Sequence, residues 1–402
     1  MIIRKAFRFR LKTNSELAQK LTQFSGCARF VWNRFWKMNQ DRLSRKLPIL
    51  LYNEMAFWLT LWKKSEEYGF LKDCHSQILQ QSLKNLDKAY RDGFDKTQPL
   101  KRMPRKHKRA LHSSFRYPQG FKLEGNQLYL PKIGWIRFFK SQTIVGTVKN
   151  ITISKKGDHW YAAVQVEHEV PKPIHPAKTD IGIDMGIAKF AALSTGNYIE
   201  PINSFRCDEN KLRHYQQKLS NKKKFSKNWQ KAKRKISRLH ERISNVRKDF
   251  LHKSSTHLSK NHAMIVVEDL KITNMSRSAK GSLDEPGKNV AAKSGLNKSI
   301  LDQGWGEFRR QLEYKQDWRG GIFIKVNPKY TSITCVSCGN IDKNNRVLQS
   351  EFCCTECGHH ENADIHAAKN VLAAGHAVLA CGSNLNKGRK QELLRKRELH
   401  SA

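Results

Sequence analysis

The chain has 402 residues, enough for more than one domain, and carries 75 Lys and Arg against 35 Asp and Glu, a formal net charge of +40. An excess this large repels itself and serves no purpose on a small neutral substrate, so it points to a polyphosphate partner, nucleic acid first of all. Membrane insertion is set aside: charge begins at Arg4, and no apolar run reaches about 18 residues.

Residues 2–11, IIRKAFRFRL, alternate, with Phe7, Phe9 and Leu11 on one face and Arg8 and Arg10 on the other, which predicts a half-buried strand. Asn14 or Ser15 caps a helix in which Leu17, Leu21, Phe24, Val31 and Phe35 recur at helical spacing to about Leu43. A second amphipathic helix starts at Ser76, with Ile78, Leu79, Leu83, Leu86 and Tyr90 on one face. The basic, proline-containing stretch 99–112 reads as a loop. Short β-rich runs over 113–170 read as antiparallel strands, which the first strand joins. The expectation is a small, barrel-like antiparallel β-domain, 1–13 and 99–170, with a helical insertion over 14–98. PKPIHPAKT, residues 171–179, reads as a linker.

Beyond the linker the pattern is α/β. TDIGIDMG and KFAALST read as two strands. A helical stretch over 211–250 follows, with Leu212, Tyr215, Leu219, Trp229, Ile236, Leu239, Ile243, Val246 and Phe250 as its apolar stripe. Fifteen Lys or Arg against two acids there exceed what mixed i,i+4 pairing uses, so this helix or helix pair is expected to track phosphates. AMIVVEDL (263–270) predicts a buried strand. Residues 278–299 read as flexible, 299–318 as one amphipathic helix on Ile300, Leu301, Trp305, Phe308 and Leu312, and GGIFIKVNP as a strand. The charged tail, 382–402, reads as disordered.

Nine cysteines, five of them within 23 residues, do not suit a disulfide framework; they suit a reducing compartment and a metal site. Cys335-x-x-Cys338, 15 residues, then Cys354-x-x-Cys357 is zinc-ribbon spacing, with knuckle glycines Gly339 and Gly358 after each pair. Cys353 has the poorer spacing, and His359 and His360 are fallback ligands. Four thiolates fill a tetrahedral ion, so this one Zn²⁺ would be structural and the chemistry must lie elsewhere.

Carboxylates are scarce here, and several stand at strand or helix ends. Asp184 lies in an apolar strand before a glycine turn. Glu268 and Asp269 end AMIVVED, and Asp364 stands near the start of a small-residue helix. Singly, each reads as a turn, a salt bridge or a helix N-terminal acid. Converging, Asp184, Glu268 and Asp364 would repel one another unless cations sat between them, and oxygen ligands of this charge suit two Mg²⁺ or Mn²⁺.

IGIDMGIAKFAALSTG, MIVVEDL and NADIHAAKN resemble the three motifs of a RuvC-like, RNase H-fold nuclease. The ribbon before the last motif, NPKYTSITC ahead of it, FSGCARFVWN near the start and SILDQGWGEFRRQLEYK resemble the TnpB (OrfB) family of insertion-sequence-encoded proteins. The resemblance implies an α+β multidomain fold. The β-domain would act as a wedge and its helical insertion as a recognition unit. A RuvC-like α/β nuclease domain would cover 178–334 and 361–381, interrupted by the zinc ribbon at 335–360. It also implies an RNA-guided DNA endonuclease, catalytic through Asp184, Glu268 and Asp364, with a guide RNA from the parent element and double-stranded target DNA as partners. A monomeric ribonucleoprotein in a prokaryotic cytoplasm is the expected form. The competing readings are a non-catalytic RNA-guided repressor or transposition regulator, and a strand-transfer transposase, for which no His-x-His motif is present.

Overall fold

Alternation at the start of the chain builds β1 (Ile2–Arg10), and the Asn14 carboxamide accepts from the Leu17 amide at 2.8 Å to open α1 (Ser15–Ser44). Then come α2 (Tyr52–Lys64), α3 (Ser76–Phe94), β2 (Ser114–Tyr117), β3 (Lys122–Glu124), β4 (Gln127–Leu130), β5 (Gly134–Arg137), β6 (Thr147–Lys156) and β7 (His159–Glu169). The computed structural model describes residues 1–98, 102–108, 113–282, 285–346 and 348–381, in two compact units, Met1–Val170 and Pro171–Ala402.

In the first unit β1 pairs antiparallel with β7 along its length, in a sheet of order β1-β7-β6-β2; β3, β4 and β5 form a second antiparallel sheet. The inward residues of β1, β6 and β7 and the apolar stripes of α1 and α3 share one core, with Phe9, Phe24, Phe35, Tyr90 and Trp160 buried. The helix α2 had no counterpart in the sequence reading, because Phe57, Trp58 and Leu61 are exposed and blur its stripe. Residues 102–108 of the basic loop have no regular structure. They lie along α1, where the Trp32 and Trp36 indoles donate to the carbonyls of Arg105 and Pro104, each at 2.9 Å. The other residues of 99–112, and the tail 382–402, lie outside the described residues.

The second unit opens in the proline-rich stretch and runs β8 (Asp180–Asp184), β9 (Ala191–Leu193), β10 (Tyr198–Ile199), α4 (Ser204–Ser220), α5 (Lys227–Asn261), β11 (Met264–Glu268) and the short α6 (Ile272–Met275). It continues with α7 (Val290–Gln303), α8 (Trp305–Arg319), β12 (Ile322–Val326), β13 (Glu351–Cys353), β14 (His360–Asn362) and α9 (Ala363–Cys381). Its main sheet has the order β10-β9-β8-β11-β12, with β8, β11 and β12 parallel and β9 reversed. One face packs on Leu251, Leu258, Trp305, Phe308 and Leu312 of α5 and α8; Met264, Val266, Ile322 and Ile324 on the other face meet α9.

The basic stretch 211–250 takes the helix-pair form, a hairpin of α4 and α5 turning at 221–226. Two expectations change. The amphipathic helix over 299–318 is two helices, because Gly304 adopts φ +75 and ends α7, which leaves Leu301 exposed. Part of the stretch read as flexible, 290–299, is the body of α7.

Candidate active site and metal centre

Parity places the acids. Along β8, Ile181 and Ile183 enter the α5–α8 core, so Asp180, Gly182 and Asp184 face α9. Along β11, Ile265 and Val267 enter that same core, so Met264, Val266 and Glu268 also face α9. The two strands are parallel neighbours with Met264 beside Asp180 and Val266 beside Gly182. That register carries Glu268 to the level of Asp184, on the same face and at the same carboxyl end.

The helix α9 runs back along β8. His376 lies 3.6 Å from Asp180, Ala368 and Leu372 stand over Gly182, and Asp364 is in the first turn. Only glycine permits this approach: a Cβ on Gly182 would come within 2.2 Å of the Ala368 carbonyl oxygen. Two strand residues cover about 6.6 Å and four helix residues about 6 Å, so Asp364 comes down beside Asp184.

The electrostatics follow from this crowding. Burial, then the charges of Glu268 and Asp364, push the Asp184 carboxyl up to about 7, against the opposing pull of Arg346. Burial also raises Glu268, which accepts a 2.6 Å hydrogen bond from the Thr331 hydroxyl. Asp364 meets the Arg346 guanidinium at 3.4 Å. The neighbouring Asp269 has a different fate. Hydrogen bonding to Lys271 lowers its carboxyl, and Arg309 lies 3.1 Å away, so it is a paired acid.

Thr331, Arg346 and Asn370 had no role in the sequence reading. Asn370 donates to the carbonyls of Thr331 and Thr334, at 2.8 and 2.6 Å, and so ties the segment that crosses Glu268 to α9. Asn370 had a visible signal, its place in NADIHAAKN. Arg346 had none among 75 basic residues.

The second cluster is the cysteine quartet. The sulfurs of Cys335, Cys338, Cys354 and Cys357 all lie within 4.8 Å of one another, with Cys335–Cys357 at 3.7 Å and Cys338–Cys354 at 3.5 Å. A tetrahedral zinc with bonds of about 2.3 Å requires sulfurs about 3.8 Å apart, so the set is compatible with a structural zinc. The amides of Gly339 and Gly358 return to the carbonyls of Cys335 and Cys354, both at 3.0 Å, closing the two knuckles at positive φ. Cys353 lies outside the quartet, and His359 instead faces Glu361 at 3.6 Å. Among the described residues these four are the one set of three or more such ligands this close; the three carboxylates are not gathered as tightly. The ribbon docks on α9, where the Val336 amide donates to His366 Nε2 at 3.2 Å and Phe352 stacks on the His366 ring.

Family models match three parts of the chain: OrfB_IS605, "Probable transposase", over 163–279; Cas12f1-like, TNB domain, over 305–371; and an OrfB_IS605 helix-turn-helix domain over 1–47. The chain is 50% identical over 391 residues to "Putative RNA-guided DNA endonuclease InsQ" of Escherichia coli (strain K12), covering 96% of each chain. The chain belongs to the TnpB family. A second relative, "Putative RNA-guided DNA endonuclease" of Streptomyces pristinaespiralis, is 32% identical over 96% of this chain and 93% of its own length. The solved mini-RNA-guided endonuclease CRISPR-Cas_phi3 is similar at a TM-score of 0.43 and 12% identity, with 92% of each chain covered. The TnpB-type N-terminus matched by the helix-turn-helix model holds β1 and an uninterrupted α1 within residues 1–47.

Proposed function

We propose that the chain is an RNA-guided DNA endonuclease whose active site is Asp184, Glu268 and Asp364. The observation that carries this reading is the convergence of the three acids at the carboxyl ends of β8 and β11. After β8 the chain continues to one side of the sheet, through β9 and β10. It then returns to lay β11 on the other side of β8. Open α/β sheets place their sites at such a switch point. The order of the five strands, with the second alone reversed relative to its neighbours in the parallel set, suits an RNase H-like domain. The relatives' names supply the reaction class, and a formal charge of +40 suits a protein that holds RNA and DNA together.

The donor set fits divalent cations. The half-buried Asp184 and the buried Glu268 both have carboxyls raised by their surroundings, which is an unfavourable arrangement for a purely structural site. Asp184, Glu268 and Asp364 would hold two Mg²⁺ or Mn²⁺, which when bound polarise a phosphodiester and activate water. Thr331 orients Glu268, Arg346 restrains Asp364, and Asn370 braces the segment that carries Thr331. The cysteine quartet would hold one Zn²⁺, keeping the ribbon folded against α9 beside the site.

The test is cleavage of plasmid DNA by the full chain co-expressed with the RNA encoded at the end of its parent element. The expected result is Mg²⁺-dependent, guide-dependent cutting that falls to background in Asp184→Ala while guided DNA binding persists. Binding without cutting by the wild type would leave the repressor reading instead.

A further inference from the structure

The basic hairpin ends in an aromatic pair, an exposed Phe225 and a half-buried Trp229. Phe225 sits at φ +69, a left-handed conformation that a bulky residue rarely adopts, and the residue is 71% exposed. The posture is fixed from several directions. Ser226 caps α5 by accepting from the Trp229 amide at 3.1 Å, the Ser226 amide donates to the Lys223 carbonyl at 3.1 Å, and Gln230 donates to the Phe225 carbonyl at 3.1 Å. The Phe225 ring lies 5.5 Å from that of Trp229, with Lys224 over one ring and Lys233 over the other. A large apolar side chain held out into water by three hydrogen bonds contributes nothing to folding here, since the α4–α5 core lies further along, at Leu212, Leu239 and Ile243.

The same hairpin tip holds a cleft of about 260 Å³ between the end of α4 and the start of α5. Its walls are Tyr215, Lys218, Lys222, Asn228, Lys231, Ala232 and Lys235: four lysines and no acid. No carboxylate among the described residues pairs with any of these lysines. Four ammonium groups around one cleft repel one another unless an anion enters. A lysine-lined cleft in the same hairpin tip as an exposed aromatic ring is the arrangement that takes single-stranded nucleic acid, because every base offers a π-face and every linkage a charge.

We infer that the hairpin tip is a docking site for one unpaired nucleotide of a bound RNA or DNA strand. Its base stacks on Phe225, whose ring Trp229 braces at a 58° tilt, and its phosphate is seated among Lys218, Lys222, Lys231 and Lys235. The inference deepens the proposed nuclease reading, since it rests on this hairpin facing nucleic acid. A duplex is not the ligand, because paired bases have no free face to offer the rings.

The test uses the full chain and three probes of one sequence, about 12 nucleotides long: single-stranded RNA, single-stranded DNA and duplex DNA, each carrying 2-aminopurine. Wild-type protein is expected to quench the fluorescent base on a single strand. Phe225→Ala is expected to abolish the quenching and weaken single-strand binding roughly 5- to 100-fold. Phe225→Trp is expected to restore both, and duplex affinity is expected to change less than about twofold. Replacing Lys222 and Lys231 by Gln is expected to flatten the single-strand salt slope by up to about 0.7, the contribution of the one seated phosphate. The strand type that shows the larger loss identifies the source of the nucleotide. Unchanged quenching and affinity in Phe225→Ala, or an equal loss on duplex, overturns the inference. Plasmid cleavage by the same preparation separates the two readings. Quenching without cutting removes the nuclease and leaves the docking site, and cutting with unchanged Phe225→Ala binding does the reverse.

Discussion

The cysteine quartet and the acidic trio are the two proposed ligand sets, and the fold treats them in opposite ways. The four cysteines fall within 23 residues, and two local knuckles bring their sulfurs to zinc spacing. The three acids are spread over 180 residues, and two parallel strands and a helix packed on a glycine are needed to bring them together. The first set is closed and complete. The second is crowded: the Asp184 and Glu268 carboxyls are both raised, and Thr331 and Arg346 are the side-chain partners of Glu268 and Asp364. A structural ion can be built from local sequence. A site for exchangeable cations needs elements rigid enough to hold like charges near one another before the cations arrive.

The largest expected effect separates folding from chemistry. Zinc binding in such modules is worth roughly 10–16 kcal/mol, so Cys354→Ser should lose the metal and unfold the ribbon, read as zinc content falling from one equivalent and proteolysis within 335–360. Asp184→Ala should keep both zinc and protease resistance. Zinc loss in Asp184→Ala would erase the distinction between the two clusters.

A buried acid that is fully paired provides the next contrast. Asp302 is buried, pairs with Arg247, and accepts from Ser204 and from the Phe205 amide at the start of α4. Removing it leaves an uncompensated guanidinium, and Asp302→Ala should cost about 3–5 kcal/mol in urea unfolding. At the trio, removing an orienting hydroxyl should affect activity and leave stability nearly intact. Thr331→Val is expected to lower Mg²⁺ affinity or cleavage roughly 10- to 100-fold, with Thr331→Ser near wild type.

The smallest effect has the opposite sign. The Asp184 carboxyl titrates at about 7 in the folded chain and at about 4 unfolded, so folding stability falls as pH rises through that window. Asp184→Asn lacks this penalty. It should be more stable than wild type at pH 8 without added divalent cations, and should gain little at pH 4. The same sign makes protons compete with cations, so cleavage should decline below about pH 7.

Local pattern made much of this legible. Cysteine spacing, the alternation in β1 and the apolar runs that became β8 and β11 all depend on near neighbours. So does the parity that turns Glu268 toward α9 and leaves Asp269 to Lys271 and Arg309. What was hidden depends on distant partners or on a single backbone angle. Nothing near Arg346 in the chain marks it as the neighbour of Asp364. Gly304 divides a continuous apolar stripe, and α2 exposes the aromatic residues that would have announced it.

The most direct measurement is an anomalous difference map from the protein soaked in Mn²⁺. Two peaks bounded by Asp184, Glu268 and Asp364, both absent in Asp184→Ala, are the predicted result. No peak within bonding distance of Asp184, or peaks that persist in that variant, would contradict it.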